Sequence, residues 1–494
     1  MKSKLKPLLL ALAASFALTA CAVGPDYVRP QLQDTPLAFK EGQDWKPAEP
    51  RELGADGRWW QMFGDPQLDA LVAQVDISNQ NLALAEANFR SAQAAVQSAR
   101  AAQSPTLAAS ASATRSRAGS SSGSSNSSNA STSSGSSGSV RNAYSFGLDA
   151  SWEADIWGRV RRSVEASSAG AQASAADLAA ARLSAQAALA QNYLQLRVLD
   201  AEQQLLDETV AAYQRSLQLT QNQYAAGMVA KSDVIQAQTQ FKSAQAQALD
   251  NQVSRAQMEH AIALLVGKTP AGFSLPRAPL AAAAPPVPQG LPSMLLERRP
   301  DVAAAERRVA AANANIGVAR AAYFPSLTLS ASGGYQSSSF ADWFSLPGRV
   351  WSLGPQLAQT IFDGGARRAA TDQAIASYDG TVAQYKQAVL TAFQEVEDNL
   401  AALRILEQEA AVQDEALQSA RQAVTLVTNQ YKAGTVSYVN VITAQATALS
   451  AERSALDIQN RRMAASVLLA KALGGGWDAA SLDDLAAVGL KSPR

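Results

Sequence analysis

Two matching stretches of sequence decide the fold of this chain: NQYAAGMV at residues 222–229 and NQYKAGTV at residues 429–436. Each ends a proline-free run of alanine, glutamine, leucine and charged residues, and each contains one glycine, Gly227 or Gly434. Glycine readily adopts the left-handed backbone conformation that stops a helix and lets the chain reverse. Because another proline-free run follows each stretch, the sequence predicts two antiparallel helical hairpins with their tips at these glycines.

The helices that lead into the two tips are predicted to be very long. Proline, which breaks helix interiors, is absent from residues 106–269 and 356–492. The predicted helices cover about 159–226 and 366–433, and each would be on the order of 100 Å long at 1.5 Å per residue. Helices of this length are typical of coiled coils or helical tubes and not of a compact core.

The two halves of the chain are duplicates, because SPTL at 104–107 recurs as FPSL at 324–327 after a similar alanine-rich helix. Repetition of this kind indicates one supersecondary unit that is used twice. The predicted organisation is a signal peptide at 1–20, a lipid anchor and N-terminal segment at 21–64, a first repeat at 65–269, a proline-rich linker at 270–296, a second repeat at 297–474 and a tail at 475–494.

Between the helices of each half, short segments alternate apolar and polar residues with a period of two, which is typical of β-strands. Residues 144–153 and 326–335 alternate clearly, 106–114 alternate more weakly, and 351–357 form a fourth segment. Pro355 cannot donate a ladder hydrogen bond, so a local break or bulge is predicted there.

Alternation alone also fits a sheet that is half-buried in a soluble sandwich, but three features favour a membrane barrel. The segments have about the ten residues that a tilted strand needs to cross the hydrocarbon layer. The link at 116–139 is almost entirely serine, glycine and asparagine, as expected for a solvated external loop. Aromatic residues lie near the strand ends, as in interfacial girdles: Tyr144, Trp152, Trp157, Tyr335 and Trp351.

Four strands cannot close a barrel, and open sheet edges are not tolerated in lipid because unpaired backbone groups cost several kcal/mol each. The subunit is therefore expected to form oligomers. A trimer would supply twelve strands and leave a water-filled lumen.

The N-terminus predicts export and lipidation. Three lysines precede an apolar stretch at 8–18 that is too short to span a membrane, which is the pattern of a secretory signal peptide. Cys21 follows the small residues Thr19 and Ala20 and is the only cysteine of the chain. This arrangement resembles the lipobox of bacterial lipoproteins, in which the cysteine carries diacylglycerol and an N-acyl chain. An ordinary cleavage site with a chance cysteine is the alternative.

Composition argues against several other functions. The single histidine, His260, lies in a helical stretch, and with Cys21 lipidated a Cys/His metal site or a His-based triad has almost no residues to use. No cofactor and no enzymatic activity are therefore predicted. The formal net charge is zero, so nucleic acid is not an expected partner.

The mature chain resembles the outer-membrane efflux protein family, the TolC-like channels, in its lipoprotein branch. The resemblance is carried by CAVGPDY at 21–27, WWQMFGDPQL at 59–68, LLERRPDV at 295–302, IG at 316–317, FPSL at 324–327 and KALGGGW at 471–477. It implies a mainly helical subunit with four strands, a homotrimer with a twelve-stranded outer-membrane β-barrel, and a periplasmic α-barrel. It also implies a periplasmic adaptor protein and an inner-membrane transporter of the resistance-nodulation-division type as partners.

The same resemblance implies that function concentrates at the hairpin tips. In the family the tips form the periplasmic aperture and contact the adaptor. The implied aperture residues are Tyr431, Val439, Asn440, Thr443 and Asp233, and the implied adaptor contacts are Gly227, Met228, Gly434 and Thr435. Positions that are often aspartate in the family are Asn440 and Thr443 here, so an acidic ring is not expected.

Two other functions remain open from the sequence. A type I protein-secretion duct uses the same architecture as a drug-efflux duct. A trimeric coiled-coil stalk or adhesin would use the strands as a head, although the alternation with aromatic ends in two separate repeats argues against it.

Overall fold

The computed structural model describes residues 23–31, 39–42, 57–117, 140–280 and 298–479. Cys21, the signal peptide and parts of the predicted linker and tail lie outside these residues. The helices and strands follow one another in the order α1 (Pro66–Ser78), α2 (Gln80–Ala101), β1 (Thr106–Arg117), β2 (Val140–Ala154), α3 (Arg159–Ala225), α4 (Lys231–Leu265), α5 (Pro300–Ala321), β3 (Ser326–Ser337), β4 (Arg349–Ala358), α6 (Ala366–Lys432) and α7 (Tyr438–Ala472).

The helices of the two halves match in length. The long helices α3 and α6 have 67 residues each, and the returning helices α4 and α7 have 35 residues each. The shorter helices α2 and α5, which precede the strands, have 22 residues each. The duplicated hairpins predicted from the sequence are therefore confirmed. None of the helices in the described ranges combines the length and the apolar character that crossing a membrane requires.

The four strands form one antiparallel sheet in the order β1-β2-β3-β4. The pairing of β2 with β3 joins the two halves of the chain, with Phe146 opposite Tyr335 and Ala150 opposite Ala331. Since directly opposed residues share a face, the register divides the sheet into an apolar and a polar face. On the polar face, serine hydroxyls pair across the strands, with 2.7 Å between the Oγ atoms of Ser112 and Ser145.

The prediction of a break or bulge at Pro355 is wrong. Pro355 lies opposite Leu329, and the pairing of β4 with β3 continues without an inserted residue from Ser326 and Ala358 to Tyr335 and Arg349. In the described sheet β4 is an edge strand, where a missing N–H disturbs a ladder on one side at most.

The described chain forms two compact units, each of which uses parts of both halves. The described residues of the sheet unit lie within Met1–Arg29, Ala92–Gly170 and Arg308–Thr381, and those of the hairpin unit lie within Pro30–Ser91, Ala171–Arg307 and Val382–Arg494.

In the sheet unit, two indole groups donate to the turns that precede β1 and β3. One indole belongs to β2 and the other to the segment that follows β2. Trp152 Nε1 donates to the Gln103 carbonyl at 2.9 Å, and Trp157 Nε1 donates to the Pro325 carbonyl at 2.7 Å. The Trp157 ring also stacks on Phe324, with 4.7 Å between the ring centroids.

The main core of the hairpin unit forms where α1 packs against the hairpins. Leu68, Val72 and Val75 of α1 are fully buried, together with Leu189 of α3 and Ile262 of α4. Burial of each such side chain contributes about 1.5–3 kcal/mol relative to exposure. This core holds the bases of the two hairpins together.

Candidate functional site at the hairpin tips

Both hairpin tips are built by the same turn. Gly227 has φ +71° and Gly434 has φ +76°, a conformation that side chains with a Cβ rarely adopt. In the first tip the Met228 N–H donates to the Gln223 carbonyl at 2.9 Å, and in the second the Thr435 N–H donates to the Gln430 carbonyl at 3.0 Å. These bonds satisfy carbonyls that the helix end leaves open.

The implied adaptor contacts are all exposed. Met228 has 72% of its surface accessible, although it is a large apolar residue. Gly227, Gly434 and Thr435 are exposed as well. These four positions therefore present backbone, the apolar side chain of Met228 and the polar side chain of Thr435 to solvent.

Two tyrosines of the second hairpin are buried against the first hairpin. The Tyr431 hydroxyl donates to Gln223 Oε1 of α3 at 2.7 Å. The Tyr438 hydroxyl lies 2.8 Å from Ser216 Oγ, also of α3. The two rings lie 5.3 Å apart and form a cluster with the buried Ala237 of α4. We call these four hydrogen-bonding residues, Tyr431, Gln223, Tyr438 and Ser216, the tyrosine clasp.

Burial favours the neutral form of both phenols by raising the pKa of each. Burial raises the pKa of Tyr431 above its ordinary value, the Thr220 hydroxyl lowers it, and the negative charge of Asp233 raises it further. Burial raises the pKa of Tyr438 in the same way, with Ser216 opposing and Tyr431 and Asp233 adding to the effect. Folding raises the pKa of both phenols, so folding favours their neutral form. The contribution of the neutral phenols to the free energy of unfolding is therefore present below pH 10 and is lost as the pH rises through the raised pKa.

The structure places Asp233 in the first turn of α4, near the clasp and partly exposed. The three other residues implied for the aperture, Val439, Asn440 and Thr443, are exposed on one face of α7. The Thr443 hydroxyl donates to the Val439 carbonyl of its own helix at 3.0 Å. Tyr431 thus belongs to the contact between the hairpins, whereas Val439, Asn440 and Thr443 form a separate exposed stripe.

The sequence reasoning missed Tyr438, Gln223 and Ser216. Comparison of the two repeats contains a signal that could have found Tyr438, because Lys231 occupies its equivalent position in the first hairpin. The equivalent of Tyr431 is Tyr224, which is 46% exposed. The second hairpin has tyrosine at both positions, whereas the first has a tyrosine and a lysine. This difference indicates that only the second hairpin buries the two positions.

Two long antiparallel hairpins combined with a four-stranded sheet that has one apolar face define the subunit class of outer-membrane efflux channels. The chain belongs to the outer membrane efflux protein family, whose model matches residues 71–268 and 291–475. The fold class predicted from the sequence is confirmed. The family is one of transport channels, and the chain is an outer-membrane component of an efflux system.

Relatives that are named as outer-membrane proteins of efflux or export systems match over most of the chain. The probable efflux pump outer membrane protein TtgC of Pseudomonas putida is 32% identical over 477 residues, which cover 96% of each protein. The pyoverdine export outer membrane protein OpmQ of Pseudomonas aeruginosa is 34% identical over 423 residues, which cover 85% of this chain and 87% of OpmQ. The solved outer-membrane channel OprN superimposes with a TM-score of 0.83 at 30% identity, covering 92% of this chain and 100% of OprN.

Proposed function

We propose that the chain forms a lipid-anchored homotrimer that exports drugs or other small toxic compounds through the periplasm and outer membrane. In this proposal a periplasmic adaptor joins the trimer to an inner-membrane transporter of the resistance-nodulation-division type. The substrate class is supported by the names of relatives, which include toluene, solvent and antibiotic efflux proteins. No bond is made or broken; the duct supplies a sealed, hydrated path.

The observation that carries the proposal is the sheet itself. Among the described strands, β1 and β4 are edges, and the apolar face between them exposes Leu107, Trp351 and Leu353 to 72%, 74% and 77%. Lipid would cover such a face, but lipid cannot satisfy the backbone groups of the two edges. Pairing β4 of one subunit with β1 of the next keeps the antiparallel alternation and closes twelve strands in three copies.

Purification and conductance test the proposal. We expect the mature protein to require detergent, to have the mass of three subunits and to form conducting pores in planar bilayers. A mature chain that stays monomeric and soluble without detergent, and that never conducts, would contradict it. A secretion duct would conduct too; we expect deletion of the gene to sensitise cells to toxic compounds without loss of a secreted protein.

We propose that the tyrosine clasp holds the aperture closed. Opening requires the tips to separate, and a ligand opens the channel only if it favours the open arrangement over the closed one. Contacts of an adaptor with Met228, Thr435 and the tip glycines would supply that difference. The narrowest point is assigned to Val439 with Asn440 or Thr443, which are exposed side by side on α7.

Replacing both clasp tyrosines with phenylalanine is expected to raise the open probability of the channel. Each substitution removes a hydrogen bond worth about 0.5–1.5 kcal/mol, so the double change Y431F/Y438F costs the closed state about 1–3 kcal/mol per subunit. Conductance in planar bilayers without adaptor measures the effect, and Y224F, at the exposed equivalent position, is the matched control. Unchanged conductance in the double variant would show that the tyrosine clasp does not hold the aperture closed.

The position of Val23 supports an anchor beside the sheet unit. Its N–H donates to the Trp157 carbonyl at 3.1 Å, the Pro25 carbonyl accepts from Asn313 Nδ2 at 3.0 Å, and Asp26 pairs with the buried Arg162 at 3.0 Å. Two residues span about 7 Å at most, so acyl chains on Cys21 would begin close to the sheet.

Replacing Cys21 with serine is expected to abolish incorporation of labelled palmitate, because serine offers no thiol for the thioether to diacylglycerol. The unmodified chain is the control, and Cys21 is its only cysteine. Growth of cells with labelled palmitate, followed by purification of the protein, measures the change. Label that persists in the serine variant would refute lipidation at this residue.

A further inference from the structure

The apolar face carries arginines at the end of the sheet where β1 connects to β2 through residues 118–139 and β3 connects to β4 through residues 338–348. We call this end of the sheet the loop end. Arg115 and Arg117 are near or at the end of β1, and Arg349 is the first residue of β4. All three are exposed. Arginine binds phosphate groups well, because the N–H donors of its planar guanidinium match the geometry of the phosphate oxygens.

The register places these arginines on the apolar face. Arg115 lies opposite Asn142, and Arg117 lies opposite Val140. Because alternate residues of a strand share a face, Asn142 and Val140 lie on the same face of β2 as Tyr144 and Phe146. Arg349 lies opposite Tyr335, which itself lies opposite Phe146. A fourth arginine at the loop end, Arg141, lies opposite Ser116 and therefore belongs to the polar face.

Aromatic side chains of the loop 338–348 cover the same end of the apolar face. Phe340 lies 5.6 Å from the Tyr144 ring, and Phe344 lies 5.6 Å from Tyr335 and 5.9 Å from Phe146. Phe340 and Phe344 nevertheless remain 69% and 62% exposed. Exposed aromatic rings next to arginines are the combination expected where acyl chains meet charged headgroups.

The arginines lack counterions in the described part of the chain. No described residue forms an ion pair with Arg115, Arg117 or Arg349. The loop 118–139 contains no acidic residue, and Asp342 is the one acid of the loop 338–348. The loop end of the apolar face therefore carries a net positive charge that an anionic partner would complement.

We propose that the loop end of the apolar face binds a lipid of the outer leaflet whose phosphate headgroup has a net negative charge, with the aromatic rings against its acyl chains and the arginines on its phosphate. The proposal rests on insertion of the sheet into the outer membrane. Arg115 and Arg117 are two residues apart on one face, about 7 Å, so both reach one headgroup. In the proposed trimer the neighbouring β4 brings its Arg349 to the same side of β1.

Lipid binding to the purified trimer in detergent tests the proposal. Phosphatidylglycerol and phosphatidylcholine are titrated separately, and native mass spectrometry counts the lipids retained. We expect the unmodified trimer to retain phosphatidylglycerol preferentially and to lose the preference at high salt, since salt screens exposed charges. The variants R115Q, R117Q and R349Q should each lower the affinity about fivefold, the contribution of one basic residue at an anionic surface.

The variant R141Q is the matched control, because it removes the same charge at the same end from the polar face. It should bind phosphatidylglycerol like the unmodified trimer. Equal retention of both lipids by the unmodified trimer, or an equal loss in R141Q, would overturn the proposal. Conductance in phosphatidylcholine bilayers is measured alongside, since failure of the channel function would abolish conductance, whereas failure of lipid recognition alone would leave it intact.

Discussion

Replacing Leu353 with arginine is expected to prevent insertion of the protein into a bilayer, whereas an arginine at the neighbouring Ser352 should leave insertion intact. Leu353 lies near the middle of β4 on the apolar face, opposite Ala331. A charge on the lipid face at this depth costs about 2–4 kcal/mol per subunit, and a trimer incurs the cost three times. Ser352 lies on the polar face, opposite Ser332, where a water-filled lumen would solvate the new charge.

Folding from urea into lipid vesicles measures both variants under the same conditions. The equilibrium constant for folding into the vesicles should be at least tenfold lower for L353R than for S352R, because about 1.4 kcal/mol already corresponds to a factor of ten. Both side chains are exposed in the subunit, so a soluble sheet would tolerate the two changes equally. Equal folding of L353R and S352R would therefore count against insertion of this face in lipid.

The ends of the two long helices could be predicted from the sequence to within a residue. The expected ends at about 226 and 433 compare with Ala225 and Lys432 in the structure. The reason is local: a glycine with positive φ stops each helix, and the absence of proline lets each helix run.

The strands were predicted less completely. Alternation identified the centre of each strand, but β1 and β2 extend further at the loop end, to Arg117 and from Val140. These added residues include arginines on the apolar face, which break the alternation that marks a strand in a sequence. The pairing of β2 with β3 joins distant segments, and no local pattern contains that information.

Contacts between distant segments of the same repeat were also beyond the sequence reasoning. The helix α5 begins at Pro300, directly after Arg299. In the structure Arg299 is buried, pairs with Asp301 and Glu395, and donates to the Ala472 carbonyl at 3.3 Å.

The first repeat uses a different residue at the equivalent position. There Asn79, which precedes α2, donates to the Leu265 carbonyl at the end of α4 with a distance of 2.8 Å. The duplication thus preserves a contact between a helix start and the end of the returning helix, while an arginine replaces an asparagine. A comparison of residue types alone hides this equivalence.

The pair Arg197 and Arg404 shows how far two equivalent positions have diverged, and it leads to the last prediction. Arg197 of α3 is 1% exposed. Its guanidinium donates to Asp200 at 2.7 Å, to the Pro276 carbonyl at 2.9 Å and to Gln67 Oε1 at 3.0 Å. Arg404, at the equivalent position of α6, is partly exposed and pairs with Glu41.

Replacing Arg197 with alanine is expected to destabilise the protein by about 3 kcal/mol. Removal of one partner from a buried ion pair costs about 3–5 kcal/mol, and the lower end applies because Asp200 keeps Arg255, whose Nε lies 2.6 Å from it. The Pro276 carbonyl and Gln67 Oε1 would lose their donors. Urea unfolding of the detergent-solubilised protein, followed by circular dichroism, measures the shift in midpoint.

The variant R404A is the matched control, because the same side chain is removed from the equivalent helix position. Its pair with Glu41 is partly exposed, and such pairs contribute about 0–1 kcal/mol. The midpoint should therefore fall clearly in R197A and little in R404A. Equal shifts would mean that burial does not distinguish the two arginines, and that the contacts of Arg197 with Gln67 and the chain at Pro276 do not hold the hairpin base.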